Sequence, residues 1–358
     1  MHTNTYSKFL CLKFRFFLSQ FGFLPKKSTS DAILCLTEKL YECLNSNEIS
    51  ISIFVDFRKA FDSINHEILL LKLYRYGIRG PSLKLIEGYL SNRSQRVKIG
   101  DCYSSVKLVK SGIPQGSVLG PLLFIIFIND LPNISNFFST LLFADDTTFH
   151  LKDKNLDSLI SKSNICLEKF SEWSRINKMK VNIDKTFFMM TTNRTNLELG
   201  LSEVKLDGVP IVREHSAKFL GVVLDSGLKF SDHIKEISSK ISKCIGIIYK
   251  LRPMLPFENL LGLYYALVNP YLEYCILVWG TTYDTHLYPL KILQKRIVRI
   301  ICKEPPLSHT NPLFYKCSIL KLKDMIEYRL GCYVHKNFDR FVDTSQSHGY
   351  NTRNNYEM

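Results

Sequence analysis

Three carboxylates in this chain stand where they could hold metal ions. Asp56 ends the run Ile49-Ser50-Ile51-Ser52-Ile53-Phe54-Val55, and Asp145 and Asp146 sit side by side between Leu141-Leu142-Phe143-Ala144 and Thr147-Thr148-Phe149-His150. Phosphoryl transfer asks little covalent chemistry of a protein. It needs metal ions that keep an attacking hydroxyl, a phosphate and a leaving group in line, and hard cations such as Mg²⁺ take oxygen ligands while keeping waters and substrate phosphates in their shell. Two or three Asp side chains then suffice. A single Asp is more often turn chemistry, but an Asp-Asp pair at an apolar tip is electrostatically costly without a cation.

The elements that must position these groups are visible in the pattern. Alternation places Ile49, Ile51, Ile53 and Val55 on one face of a strand and Ser50, Ser52, Phe54 and Asp56 on the other. Asp62 or Ser63 is placed to cap a following helix that carries Leu69, Leu70 and Leu73 and stops at Gly77. The segment 141–150 predicts a hairpin with the Asp pair at its tip. Between the strands, Ser111-Gly112-Ile113-Pro114-Gln115-Gly116-Ser117 predicts a loop that leads into an apolar helix ending before Pro132. If the two strands are neighbours in one antiparallel sheet with helices on its other face, the carboxylates meet.

Further on, Ile234, Ile237, Ile241, Ile245 and Ile248 share one helix face and leave Lys235, Lys240 and Lys243 to solvent or phosphate. A second basic helix repeats Lys291, Lys295, Arg299 and Lys303 every four residues beside Leu290, Leu293, Ile297 and Ile300. Ordinary amphipathic packing with a solvated charged face is the competing account of both.

A chain of 358 residues suits two or three subdomains, and 46% apolar with 22% charged residues gives enough surface to bury. The net charge of +14 suits a polyanion, with binding that weakens steeply as salt rises. The ten cysteines are scattered, with no C-x-x-C pair and no His at zinc spacing, so no structural zinc is expected and the thiols read as small core residues. The apolar run Pro121–Ile128 is far short of the roughly 20 residues a bilayer needs, and no membrane partner is expected.

At these residues the chain resembles the reverse transcriptases of non-LTR retrotransposons, the LINE-like elements of the jockey and CR1 type. Gln20-Phe21-Gly22-Phe23 with Ser28-Thr29-Ser30-Asp31-Ala32 resembles the fingers segment, and Asp56-Phe57-Arg58-Lys59-Ala60-Phe61-Asp62 the first catalytic motif. Gly112-Ile113-Pro114-Gln115-Gly116-Ser117-Val118-Leu119-Gly120-Pro121 resembles the template and nucleotide loop, and Phe143-Ala144-Asp145-Asp146 the catalytic hairpin. Asn182 with Lys185 resembles the next palm motif, and Phe219-Leu220-Gly221 the primer grip. Tyr271-Leu272-Glu273-Tyr274-Cys275, Trp279-Gly280 and Gln294-Lys295-Arg296 resemble the region beyond the thumb.

The resemblance implies an α+β right-hand polymerase: a palm made of an antiparallel sheet with helices on one face, partial fingers, a helical thumb and a carboxy-terminal helical extension. The expected bounds are 1–48 for the partial fingers, 49–225 for the palm with a fingers insertion around 78–110, 226–268 for the thumb, 269–343 for the extension and 344–358 for a loose tail. It implies RNA-directed DNA polymerase activity on an RNA template and DNA primer with dNTPs, using two Mg²⁺ ions for which Mn²⁺ can substitute. Asp56, Asp145 and Asp146 would be the catalytic and metal-holding carboxylates, with the Phe57 carbonyl a further ligand. Phe61 would lie under the incoming sugar and reject ribonucleotides, Gln115 and Gly116 would touch nucleotide and template, and Lys185 would stand near the triphosphate. Arg93, Arg96, Phe219, Leu220, Gly221, Lys240 and Lys243 would contact nucleic acid.

The family's earlier fingers block, with its Arg-Pro-Ile signature, is expected to lie before Met1, so the chain reads as an amino-terminally truncated form. A catalytically defective, nucleic-acid-binding remnant is therefore the alternative. A viral RNA-directed RNA polymerase fits less well, because Ala144 and Phe61 suit DNA synthesis. The resemblance implies work at chromosomal DNA in the nucleus, although no import signal stands out.

Overall fold

The computed structural model describes residues 19–194 and 203–338. The expected loose tail and the apolar stretches before Ser19 lie outside these residues. The chain divides into two compact units, residues 1–227 and 228–358.

The first unit is organised by helix α1 (Thr29–Asn45), strand β1 (Ile49–Val55) and the short helix α2 (Ala60–Ser63), followed by α3 (His66–Arg75) and α4 (Pro81–Leu90). A ribbon of four two-residue strands follows: β2 (Ser94–Gln95), β3 (Lys98–Ile99), β4 (Cys102–Tyr103) and β5 (Lys107–Leu108). Then come α5 (Gly120–Ile128), the hairpin β6 (Ser139–Phe143) and β7 (Asp146–Asp153), α6 (Leu156–Ile176) and β8 (Phe187–Thr191). The unit ends with the hairpin β9 (Lys205–Leu206) and β10 (Val209–Pro210), then β11 (Val212–Glu214), β12 (Ser216–Phe219) and β13 (Val222–Asp225).

The central sheet runs β11-β8-β1-β7-β6. Strand β1 lies antiparallel to both β7 and β8, in a register that places Val55 opposite Thr147. Only β11 runs parallel to its neighbour, β8, so the sheet is mixed at one edge. The expected face of Ile49, Ile51, Ile53 and Val55 joins Phe149, Leu151, Phe188 and Met190 in a core completed by α5 and α6.

The α+β architecture stands, but helices cover both sheet faces, not the single face expected. Ser50 and Ser52 are fully buried; Cys43 of α1 lies against Ser50, and Lys39 of the same helix is close enough to act on the charge of His150. Small serines tolerate either environment, so alternation alone could not tell a solvated face from one closed by a helix. Two helix details also differ. Asn65, not Asp62 or Ser63, caps α3 by accepting from the Ile68 N–H at 3.0 Å, and Gly77 turns the chain out of α3 at φ +92°.

The second unit is helical: α7 (Ser231–Leu251), α8 (Phe257–Leu267), α9 (Asn269–Glu273), α10 (Ile276–Trp279), α11 (Asp284–Ile301), α12 (Asn311–Cys317) and α13 (Leu322–Lys336). Ile234, Ile237, Ile241, Ile245 and Ile248 of α7 are buried as their spacing predicts, while a sixth isoleucine, Ile247, is exposed. The motif residues of this unit have structural work. Trp279 is fully buried and donates through Nε1 to the Tyr274 carbonyl at 2.8 Å. Gln294 is buried, donates to the Leu320 carbonyl at 2.9 Å and accepts from the Leu322 N–H at 2.8 Å, pinning the start of α13 to α11. Among the described residues no helix is long and apolar enough to cross a membrane, and the described cysteines are free thiols.

Candidate active site

The register of the sheet brings the carboxylates together. Asp56 follows Val55 directly, Asp146 precedes Thr147, and Val55 and Thr147 are cross-strand partners. Phe143 pairs with Asp146, so only Ala144 and Asp145 form the turn between β6 and β7. Ala144 takes φ +53°, a conformation that costs an L-residue energy and is held here by its surroundings. Segment 19–21 supplies part of that support by pairing with the edge of β6: Leu142 N–H donates to the Ser19 carbonyl and Phe21 N–H to the Leu142 carbonyl, both at 2.8 Å. Gly22 is then pressed against the turn, where a Cβ would overlap the Ala144 nitrogen and come within 3.0 Å of the Phe143 carbonyl carbon.

Electrostatics report the same convergence. The carboxyl of Asp146 is pushed up to about 6 by the protein atoms crowding it and then by the charges of Asp145 and Asp56. Much of the residue's surface nevertheless faces solvent. Asp56 is half-buried and held from the other side: its Oδ2 accepts from Asn182 Nδ2 at 3.0 Å, and its carbonyl accepts from the Asn182 N–H at 2.8 Å. Among the described residues no three carboxylate, imidazole or thiol side chains form a ready-made metal cage. Mg²⁺ takes much of its shell from water and phosphate, so it needs few protein ligands. The donor set is all oxygen, which suits a hard divalent cation.

A pocket of about 460 Å³ opens beside these groups, lined by Asp56, Asp146, Lys185, Lys218, Phe219 and Leu220 among others. Lys185 is exposed and ends the short 3₁₀ turn Ile183–Lys185, and it has no salt bridge among the described residues. Phe219 packs its ring 5.8 Å from that of Phe54. The turn joining β12 to β13 consists of Leu220 at φ +46° and Gly221 at φ +88°. Two positive φ values fit a tight hairpin, and Leu220 bears the strain that Gly221 avoids.

A larger cleft, about 730 Å³, is lined by Lys59, Asp62, Arg93, Lys110, Gly112 and Gln115, among others, and not by the three carboxylates. Its floor is the 111–116 loop docked on α2. Gly112 N–H donates to the Ile64 carbonyl at 2.8 Å, Ile113 N–H to the Phe61 carbonyl at 2.9 Å, and Gln115 Nε2 to Asp62 Oδ1 at 3.0 Å. Gly112 sits at φ +87°, and a Cβ there would lie 2.7 Å from the Asp62 backbone. Phe61 is half-buried and stacked on Phe124 at 4.2 Å, so its ring is fixed from below. Gly116 is exposed at φ +76°.

The remaining expected contacts are more scattered. Arg93 lies over the Tyr89 ring, and Arg96 over the Tyr103 ring at 4.2 Å. In the second unit Lys243 is exposed, whereas Lys240 is paired with Glu236 at 2.6 Å. Phe57 is buried, its ring 5.8 Å from that of Phe170, and it bridges to Val181 across the chain. Sequence reasoning gave no site role to Asp62, the anchor of Gln115, to Gly22 or to Asn182. The Asn-x-x-Lys spacing was the available signal for Asn182; Asp62 and Gly22 stand inside the quoted motifs Asp56–Asp62 and Gln20–Phe23, but nothing in those segments shows the contacts they make.

Residues 9–224 match the family model described as reverse transcriptase (RNA-dependent DNA polymerase). The RNA-directed DNA polymerase from mobile element jockey of Drosophila funebris is 30% identical over 86% of this chain and 34% of its own length. The jockey enzyme of Drosophila melanogaster is 29% identical over the same shares. This chain thus spans about a third of the length of the curated relatives it matches. Among solved structures, telomerase from Candida albicans with a fragment of telomeric RNA aligns over 88% of this chain and 58% of its own, at 12% identity and a TM-score of 0.48. With more than half of its length matched by the family model, the chain belongs to the reverse transcriptase (RNA-dependent DNA polymerase) family, of the kind carried by non-LTR mobile elements such as jockey.

Proposed function

We propose that this chain copies RNA into DNA by transferring a nucleotidyl group from a deoxynucleoside triphosphate to a primer 3′-hydroxyl, with Asp56, Asp145 and Asp146 holding two Mg²⁺ ions. The observation that carries this reading is the register of β1 and β7, which sets Asp56 beside Asp146 and crowds negative charge there that a divalent cation relieves. When bound, such ions stabilise charge on the transferring phosphate and align the reacting oxygens, and Mn²⁺ can substitute. The Phe57 carbonyl is a further oxygen ligand in this reading.

The chain's own residues do the rest. Lys185 and Lys218 line the pocket beside Asp56 and give it positive charge suited to a triphosphate. Phe61, braced by Phe124, is the floor under the incoming sugar. Gln115, anchored by Asp62, and the open backbone at Gly116 face nucleotide and template. Phe219, Leu220 and Gly221 position the primer, and Arg93, Arg96, Lys240 and Lys243 neutralise phosphates, with nuclear DNA as the setting. Incubation with a DNA primer on an RNA template tests this: dNTP incorporation that stops when Mg²⁺ is chelated supports it, and binding without incorporation supports the remnant reading.

A further inference from the structure

The turn after Lys180 does more than carry Lys185. Around Asp56 the chain leaves β1 but stays paired: Arg58 N–H donates to the Lys180 carbonyl at 2.8 Å, and Asn182 N–H donates to the Asp56 carbonyl at 2.8 Å. Asn182 also stands at the entry of the 3₁₀ turn Ile183–Lys185, a position from which an Asn side chain ordinarily caps the turn. It makes no cap hydrogen bond. Its amide instead donates to Asp56 Oδ2 at 3.0 Å. Because an ionised carboxylate only accepts, the amide nitrogen must be the atom that faces it.

The turn is closed by other means. The Asn182 carbonyl accepts from the Lys185 N–H at 3.2 Å, the Thr186 N–H at 3.0 Å and Thr186 Oγ1 at 2.9 Å, while the Asp56 N–H reaches Thr186 Oγ1 at 3.5 Å. Every one of these bonds survives truncation of the Asn182 side chain. The side chain therefore has no structural duty to the turn, and the partner it takes is a carboxylate oxygen.

We infer that Asn182 is a positioning residue for the metal site: its amide occupies Oδ2 of Asp56 and holds that carboxylate in one orientation. This rests on the proposed function, in which Asp56 is a metal ligand. Groups that hold a ligand in place commonly change metal affinity by about ten- to a hundredfold when removed.

The test uses the full chain and Mn²⁺ alone, with free Mn²⁺ followed by electron paramagnetic resonance and folding by circular dichroism. Asn182→Ala is expected to weaken Mn²⁺ binding about tenfold while leaving secondary structure intact. In an Asp56→Asn background the same substitution is expected to change nothing further, because the carboxylate it acts through is gone. An Asn182→Ala protein that binds Mn²⁺ like the wild type, or a loss that persists undiminished in the Asp56→Asn background, overturns the inference. If Asp56→Asn itself leaves Mn²⁺ binding unchanged, the metal-site reading fails, and this one with it. Should the alanine variant not fold, Asn182→Asp decides: it keeps the shape but sets carboxylate against carboxylate, so it is expected to melt below the wild type without metal and to recover with saturating Mn²⁺. Melting equal to the wild type without metal contradicts the role.

Discussion

Gly22 lies against the backbone of Ala144, so close that a single added methyl group would overlap the turn that carries Asp145. The contact is backbone to backbone, and neither side can yield by rotating a side chain. Gly22→Ala is therefore expected to cost about 1–3 kcal/mol of stability, the usual range for overpacking, and to push the β6–β7 turn off its path. Urea denaturation and primer extension measured on the same protein check this; a variant as stable and active as the wild type would show that the turn is not braced from this side.

Asp146 offers a test through pH. Its folded value, about 6, lies above the ordinary 3.8. The folded state thus holds this proton more tightly than the unfolded state, and stability falls as pH rises from about 4 to about 6. Above that window the metal-free protein carries the full penalty. Asp146→Asn removes the charge and is expected to raise the melting temperature of the metal-free protein at pH 7.5 by an amount worth about 1 kcal/mol at most, discounted for the residue's exposure. The gain should vanish near pH 4. Saturating Mg²⁺ should stabilise the wild type more than the variant.

His150 has the opposite sign. It is buried beside Ser52, with Nδ1 3.2 Å from the hydroxyl, and burial followed by the charges of Lys39 and Lys152 holds it down to about 3 from an ordinary 6.5. The unfolded chain takes up this proton first, so stability is lost as pH falls from about 6.5 toward about 3. His150→Gln keeps a polar partner for Ser52 but cannot be protonated, and its acid unfolding is expected to begin at lower pH. A circular dichroism titration reads this directly; coincident acid transitions would contradict it.

The carboxylates and their strands were legible because their signals are local. Alternation from Ile49 to Val55 and the Asp pair within an apolar run needed no knowledge of distant residues. What escaped the sequence depends on residues far apart in the chain. Ser50 and Ser52 look like half of an amphipathic strand until α1 closes over them. Asp62 looks like a helix cap until the 111–116 loop brings Gln115 to it, and Asn65, three residues on, takes over the capping. The positive φ of Ala144 is equally invisible, since nothing in its residue type demands it. Motif spacing did point to Asn182 and Lys185, though not to the hydrogen bond that ties Asn182 to Asp56.

Phe61 should be separable from the metal chemistry. Its ring is stacked on Phe124 and lies next to the loop that holds Gln115. Phe61→Ala is expected to cost some stability through the lost stacking and to raise incorporation of ribonucleotides relative to deoxynucleotides at least tenfold, worth about 1.4 kcal/mol of discrimination. Competitive single-nucleotide extension measures the ratio; an unchanged ratio would remove Phe61 from the sugar site.

The central claim is that Asp56, Asp145 and Asp146 form one metal-dependent centre for DNA synthesis on RNA. Asp145→Asn tests it most directly, because Asn keeps the shape of the turn residue and removes only the charge that attracts the metal. Primer extension on an RNA template with Mg²⁺ is measured beside binding of the same primer-template in a salt series. Extension by the variant is expected to fall at least a thousandfold, on the order of 4 kcal/mol, while binding and its decline with salt stay within about twofold of the wild type. Extension at the wild-type rate by Asp145→Asn would contradict the claim.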